Sequence, residues 1–422
     1  MTPPLLKKLL PADTIGMTRK AVSRTTLAEA EAIIATVRRR GRDALVEYGQ
    51  QFGDLGPDGK LVYTAQDLEA ALGRIPRSVR ELLERTAGRI ALFADAQRQS
   101  LQDLDLPVQG GRAGWRYRPV GRAGCYAPGG RFPLPSSVLM TTVTARAAGV
   151  DEVWVASPNP GDLALAAAAI GRADALVAAG GAQAIAALAF GVEDVPACDV
   201  IVGPGNRYVT AAKQLVSGQV GIDMLAGPSE LVILADATAD PAVIAADLLA
   251  QAEHDPDAVP ILVTIAPELT TAVNLELEAQ LVDLQTAEIA RYALGNGGAV
   301  EATDLEQAIL LCESLAPEHL ELMVDRPEAV AGKLHRYGAL FVGAETAEVL
   351  GDYGAGPNHV LPTGGTARFS GPLSVQDFLV GRSWLRMEPG AEAEAVARDA
   401  VALARLEGLE GHARSAEKRL SR

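Results

Sequence analysis

Four short stretches of this chain bring imidazole, amide and carboxylate groups together. The first is Gln251-Ala252-Glu253-His254. Asp240-Pro241 makes a good helix start, because aspartate caps the orphan amides and proline is tolerated at the first helical position. A helix from there runs through Ile244, Leu248 and Leu249 and must stop near Pro256, which puts Gln251 and His254 three apart in its last turn, on one face. An imidazole and an amide oxygen so placed can bind a cation, although glutamine is an uncommon zinc ligand. Taken alone, a single histidine at a helix C-terminus reads first as a cap on the dipole.

The second stretch, Ala316-Pro317-Glu318-His319-Leu320-Glu321, sets a carboxylate beside an imidazole. On a helix, adjacent residues do not face each other, so the two would reach different atoms of a bound molecule and serve two proton transfers at one site. A solvated helix start with acids in its first turn is an equal reading. The third, Leu350 to Thr363, holds Asp352, Asn358 and His359 among glycines and reads as irregular backbone, either a functional loop or a surface turn. The fourth is Glu407-Gly408-Leu409-Glu410-Gly411-His412, where two glycines interrupt a tail helix before its last histidine. By itself that is a plain helix break.

Two strand-turn-helix junctions could take a nucleotide phosphate, Gly180-Gly181-Ala182-Gln183 and Gly203-Pro204-Gly205-Asn206. Neither is the GxGxxG fingerprint, and Pro204 removes an amide donor, so a standard Rossmann dinucleotide site is not supported.

The elements that must position these groups read as α/β. Residues 20 to 105 are helical in pattern, with Leu27, Ala30, Ile34 and Val37 at helix spacing and Val79 to Ala96 in the same style. A Gly/Pro-rich loop follows at Gly124 to Gly130. Apolar strands at Val153 to Ala156, Ala175 to Ala178 and Val200 to Val202 then alternate with Ala-rich helices, and Leu231 to Leu234, Ile261 to Thr264 and Ala339 to Val342 continue as a second unit. That alternation is the signature of parallel, helix-covered sheets. The tail from Glu392 is helical and charged, and could pack on this subunit or a neighbour.

Composition narrows the classes. The 422 residues are 48% hydrophobic and 22% charged but only 4% aromatic, which suits more than one globular α/β unit with small aliphatic cores. A net charge of -15 without a concentrated basic patch argues against a nucleic-acid partner. Cys125, Cys198 and Cys312 are odd in number and far apart, so neither a disulfide framework nor a thiolate metal site is indicated, and the cytoplasm is the default compartment. Lys7-Lys8 lies in an amphipathic arm too short and charged for a signal core. The charge-free run Ala175 to Val192 reads better as strand, turn and helix than as a membrane span, so no membrane partner is expected.

In order and in residues, the blocks resemble the histidinol dehydrogenases. They are Gly124 to Gly130 with Pro135 to Met140, Gly180 to Gly191, Gly203 to Asn206, Gly221 to Glu230, Gln251 to Pro256, Ala316 to Glu321 and Gly351 to Thr363. The resemblance implies a zinc- and NAD-dependent enzyme that oxidises L-histidinol through the aldehyde to L-histidine, at the end of histidine biosynthesis, with two hydrides passed to two NAD molecules. It implies one zinc per subunit held by Gln251, His254, Asp352 and His412, the last from the partner of an intertwined homodimer with shared active sites. Glu318 and His319 match the family's catalytic pair. Ser229, His359 and Glu407 match further substrate contacts, alongside the zinc ligands and His319. Tyr126, Gln183 and Asn206 match nucleotide contacts. His335 and the three cysteines match no role, and Cys125 and Arg131 depart from the small or apolar residues expected in the glycine loop.

The fold implied is two incomplete Rossmann-like parallel-sheet α/β domains with small N- and C-terminal helical extensions. The expected division is an N-terminal arm at 1–24, a discontinuous first domain at 25–123 and 231–373 carrying most of the zinc and catalytic site, a second, nucleotide-side domain at 124–230, and a helical tail at 374–422 swapped to the partner. Two other kinds of enzyme stay open: a related dehydrogenase of another polar alcohol, such as a sulfonated diol, and a metal-dependent hydrolase without nucleotide. A non-catalytic binding protein on the same scaffold is the third alternative.

Overall fold

A computed structural model describes residues 4–14, 22–56, 59–129 and 133–420, and three sheets organise them. The first has six parallel strands in the order Lys8–Leu9, Gly298–Glu301, Val259–Thr264, Glu230–Ala235, His319–Met323, Ala339–Val342. The second has the order Val62–Thr64, Ala175–Val177, Glu152–Ala156, Arg122–Tyr126, Val200–Val202, Gly221–Ile222 and is parallel except at its first pair. The third is a small antiparallel sheet of Leu104–Val108, Gly111–Pro119 and Leu379–Met387.

Both large sheets are covered on both faces, which is why their strands read as unbroken apolar runs. Along the central strand of the first sheet, Leu231, Ile233 and Ala235 enter one core while Val232 and Leu234 enter the opposite one. Each buried Leu, Ile or Val side chain among them contributes roughly 1.5–3 kcal/mol. In the second sheet Ala123, Cys125, Val153 and Val155 face one core, and Tyr126, Trp154 and Ala156 face the other. Gly124 and Cys125 therefore belong to a buried strand rather than to a glycine loop. A Cβ at Gly124 would come within 3.0 Å of Leu188 and 3.2 Å of the Cys198 sulfur, which explains the glycine without any turn. Arg131 and Gly130 lie outside the described residues.

The structure divides the chain differently from the expected domains. The helices Arg24–Arg40, Arg42–Phe52, Ala65–Leu72 and Arg77–Ser100 pack on the second sheet, through Ala30, Ile34, Val37 and Leu45 on one side and Leu68, Leu83 and Ile90 on the other. Residues 25–123 thus join 124–230, not 231–373. The N-terminal arm goes the other way, with Lys8 and Leu9 paired to Ala299 and Val300 in the first sheet. Periodicity reveals which face of a helix is buried, but not which sheet buries it.

The tail is also not wholly helical. Leu379–Met387 pairs with Gly111–Pro119 over nine residues, and its Val380 and Trp384 are residues that suit a sheet. Only then come the helices Ala391–Leu406 and Glu410–Glu417, divided at Gly408, whose φ of 76° ends the first of them. This hairpin has its own small core of Val401, Ala404 and Ala413, and it leaves Leu403 and Leu406 59% and 85% exposed. Ala175 to Val192 resolves into a strand, a turn and the helix Gly181–Phe190. Among the described residues no helix is long and apolar enough to cross a membrane.

Candidate active site

Backbone atoms of Glu230, at the start of the first sheet's central strand, hold the two adjacent acid-base residues. The Glu230 amide donates to Glu318 Oε2 at 2.8 Å, and the Glu230 carbonyl lies 3.1 Å from His319 Nδ1. With Nδ1–H donated to that carbonyl, Nε2 carries the imidazole lone pair. It is buried, has no hydrogen-bond partner among the described residues, and lies 3.8 Å from Asp352 Oδ1. The 316–321 segment is not a helix start. Ala316 closes the preceding helix in the left-handed region, at φ 45°, and the chain enters the strand His319–Met323. Glu318 and His319 are consequently 6% and 3% exposed, not solvated.

Burial sets their protonation. It pushes the His319 imidazole down to about 4, so the ring is neutral near pH 7. It raises the Glu318 carboxyl well above the usual range, opposed by the Glu230 amide and the Ser229 hydroxyl. Ser229, expected from the sequence to touch substrate, is thereby placed at Glu318.

The helix Pro241–Ala252 forms as expected, with Asp240 accepting from the Ala242 amide at 2.9 Å. It stops one residue after Gln251, so His254 sits just past its end rather than in its last turn. Gln251 is fully buried, and neither atom of its amide has a partner among the described residues. Such a group costs about 1–3 kcal/mol unless something completes it. His254 Nε2 is 3.5 Å from Asp352 Oδ2, and the Asp352 carboxylate holds this imidazole above its ordinary pKa.

Asp352 ends a short helix, Glu348–Asp352, instead of lying in irregular backbone. One turn earlier stands Glu348, a residue the sequence reading missed. Its carboxylate lies 3.5 Å from His319 Nδ1, and the ligand atoms of His254, Glu348 and Asp352 lie within 4.8 Å of one another. The spacing of four to Asp352 was the available signal. Behind them Asp247 and Glu321 form a buried carboxyl pair; burial, then the Asp247 charge, pushes Glu321 up to about 8. Beyond Asp352 the loop is irregular as expected. Asn358 fixes it by donating to the Met140 carbonyl at 2.9 Å, and His359 bridges the Asp352 carbonyl at 2.8 Å and the Ser137 hydroxyl at 3.3 Å.

Glu407 and His412 are not among the groups gathered here. Glu407 ends the first tail helix and His412 lies on the second, both exposed. His335 is exposed, its amide bonded to Glu313, and the three cysteines are buried and unpaired.

Tyr126, Gln183 and Asn206 meet at one cleft of about 1030 Å³ on the second sheet. Tyr126 ends a strand and its hydroxyl accepts from the Gly181 amide at 3.2 Å. Asn206 caps the helix Arg207–Val216 by accepting from Tyr208 and Val209. Gln183 donates at 2.6 Å to Asp54, which also accepts from the Gly180 amide at 2.9 Å. Asp54 escaped the sequence reading because its partners lie over 120 residues away. Val138 lines the cleft while its neighbour Ser137 reaches His359, so cleft and buried cluster meet at the first turn of the helix Pro135–Ala148.

Doubly covered parallel sheets, with a nucleotide-sized cleft meeting a buried imidazole and carboxylates, define a two-sheet α/β enzyme. The histidinol dehydrogenase family model matches residues 17–420, and the chain belongs to that family. It is 46% identical to histidinol dehydrogenase of Parasynechococcus marenigrum (strain WH8102) over 400 residues, covering 93% of this chain and 90% of the relative. The Pseudomonas syringae pv. syringae (strain B728a) enzyme of that name is 46% identical over 396 residues, covering 92% and 88%. The crystal structure of histidinol dehydrogenase from Elizabethkingia anophelis superposes with a TM-score of 0.92 at 28% identity, covering 100% of this chain and 99% of that one.

Proposed function

We propose that the chain oxidises L-histidinol through L-histidinaldehyde to L-histidine, using His319 and Glu318 in turn at a zinc-containing site completed by a second subunit. Family membership carries the first half of this reading, an NAD-linked oxidoreductase of histidine biosynthesis. The observations supporting the second half are the bare Nε2 of His319, its tautomer set by the Glu230 carbonyl, and the buried, unpartnered amide of Gln251.

The donor set suits zinc. His254, Asp352 and Glu348 bring N and O ligand atoms within 4.8 Å of one another, and Gln251 adds a buried amide with no partner among the described residues. His412 of the partner subunit is the fourth ligand we propose, and Glu407 of the partner subunit a substrate contact. A zinc ion held by these residues would supply a Lewis acid for the nitrogens of histidinol.

The chain's own groups move the protons. His319 Nε2 takes the hydroxyl proton as the first hydride passes from the carbinol carbon to NAD, leaving the aldehyde. Glu318, whose buried carboxyl has a raised proton affinity, takes a proton from the water that adds to the aldehyde. His319 returns its proton to the aldehyde oxygen as the hydrate forms, and then takes a hydroxyl proton of the hydrate as the second hydride passes to a second NAD. Tyr126, Gln183 and Asn206 would hold the nucleotide in the cleft, and His359 and Ser229 would contact the substrate. Holding the aldehyde between the two oxidations prevents its escape.

Kinetics with L-histidinol and NAD test the reading. Two NADH per histidinol are expected. One NADH, or none, overturns it.

A further inference from the structure

Lys213 and Asp223 form an ion pair sealed in the second sheet's core, with side chains 2% and 0% exposed. Taking two charges out of water costs more than their attraction returns unless the remaining polar atoms are satisfied, and an apolar pair of similar size is often more stable. Here both partners meet at one residue. Lys213 Nζ donates to the Gly203 carbonyl at 3.0 Å, and Asp223 Oδ2 accepts from the Gly203 amide at 2.7 Å. Asp223 Oδ1 also takes the Met224 amide at 2.6 Å.

Gly203 opens the Gly203-Pro204-Gly205-Asn206 turn. Its φ is 116°, and a Cβ there would stand 3.0 Å from the Tyr126 carbonyl carbon, nearer still to its oxygen, so the turn is pressed against the Tyr126 backbone. Three residues on, Asn206 lines the cleft. From Asp223 the chain runs the other way, toward the acid-base pair. Thr210 holds the Ala226 carbonyl at 2.7 Å, Thr363 holds the Gly227 amide at 2.5 Å, and the segment ends at Ser229 and Glu230.

We propose that the Lys213–Asp223 pair is a clamp that positions the nucleotide: it fixes the Gly203 turn, which carries Asn206, against the Tyr126 backbone and ties that wall of the cleft to the strand that holds Glu318 and His319. The proposal rests on the reading of the cleft as the NAD site. Lys213 and Asp223 touch no reacting atom; they act through Gly203.

The test uses the zinc-loaded holoenzyme and NADH fluorescence. Lys213→Met leaves Asp223 buried without its cation, so Lys213→Met combined with Asp223→Asn is made beside it, keeping an acceptor for the Gly203 amide. The double variant is expected to melt near the wild-type temperature, to keep its zinc and its KM for histidinol, and to bind NADH about tenfold more weakly, with KM for NAD raised in parallel. Wild-type NADH affinity in the folded double variant overturns the clamp, as does an equal loss for both substrates. Asn206→Ala separates the two readings. If it weakens NADH and the double variant does not, the clamp alone fails; if neither does, the cleft reading fails and takes the clamp with it.

Discussion

The two large sheets treat buried polar groups in opposite ways. Around the cleft of the second sheet they are used up within the chain: Asp54 holds Gln183 and Gly180, Tyr126 holds Gly181, and Lys213 with Asp223 holds Gly203, while Arg122 Nε, at the far end of that strand from Tyr126, has no partner among the described residues. Around Glu318 and His319, the Gln251 amide, His319 Nε2 and one oxygen of Glu348 are buried without a partner among the described residues. Satisfied groups build a wall that is rigid before anything binds. Orphaned groups mark where binding completes the structure, and where proton transfer has atoms to spare.

The sharpest way to break this contrast is His319→Asn, which keeps an amide near the Glu230 carbonyl but removes the imidazole. Turnover should fall about 10²–10⁴-fold with zinc retained on metal analysis. A variant near full activity would mean that the bare Nε2 is an accident of packing. Glu318→Gln should act later: the first NADH forms and the second is delayed, so a single-turnover trace shows one equivalent followed by a slow phase. Two equivalents at the wild-type rate would remove Glu318 from the water step.

The trans contribution can be tested by mixing. His319→Asn protomers and His412→Asn protomers are each expected to be nearly inactive alone. If the tail crosses, each mixed dimer has one intact site, so random reassembly should restore about a quarter of wild-type activity. No recovery in dimers shown to be mixed would place the tail histidine in its own subunit's site.

The smallest effect concerns pH. Glu321 has a folded-state pKa raised by burial and by Asp247, so its protonated form is favoured in the fold, and stability is lost as pH rises from the unfolded carboxyl value toward about 8. Glu321→Gln keeps an acceptor for the Glu348 amide and escapes that loss. Its Tm should equal the wild type near pH 4 and exceed it by roughly 2–4 °C at pH 8. A constant offset across that range would show that the carboxyl pair carries no titration penalty.

Much of this was legible in the sequence for a definite reason. The strand Leu231 to Leu234 has to be buried on both faces, and Asp240-Pro241 can do little but start a helix. Local rules failed where the deciding partner was distant. Glu318 and His319 read equally well as a solvated helix start, because nothing nearby shows that Ala316 turns left-handed into a buried strand. The helices before residue 100 announced their apolar faces but not their sheet. Glu348, Asp54 and the Lys213–Asp223 pair look like ordinary surface charges until the fold brings their partners in. The zinc and nucleotide assignments came from the order of the motifs, which single residues could not supply.

One edge of the first sheet has a consequence for how the chain is made. Lys8 and Leu9 pair with Ala299 and Val300, and Lys8 reaches Glu301, 293 positions later. At a synthesis rate of about 5–20 residues per second, that strand waits roughly 15–60 s for its mate. Until then the neighbouring strand Gly298–Glu301 does not exist to receive it, so the sheet closes after translation of its far side. During synthesis the N-terminal strand can therefore dock only after residues 298–301 have been made.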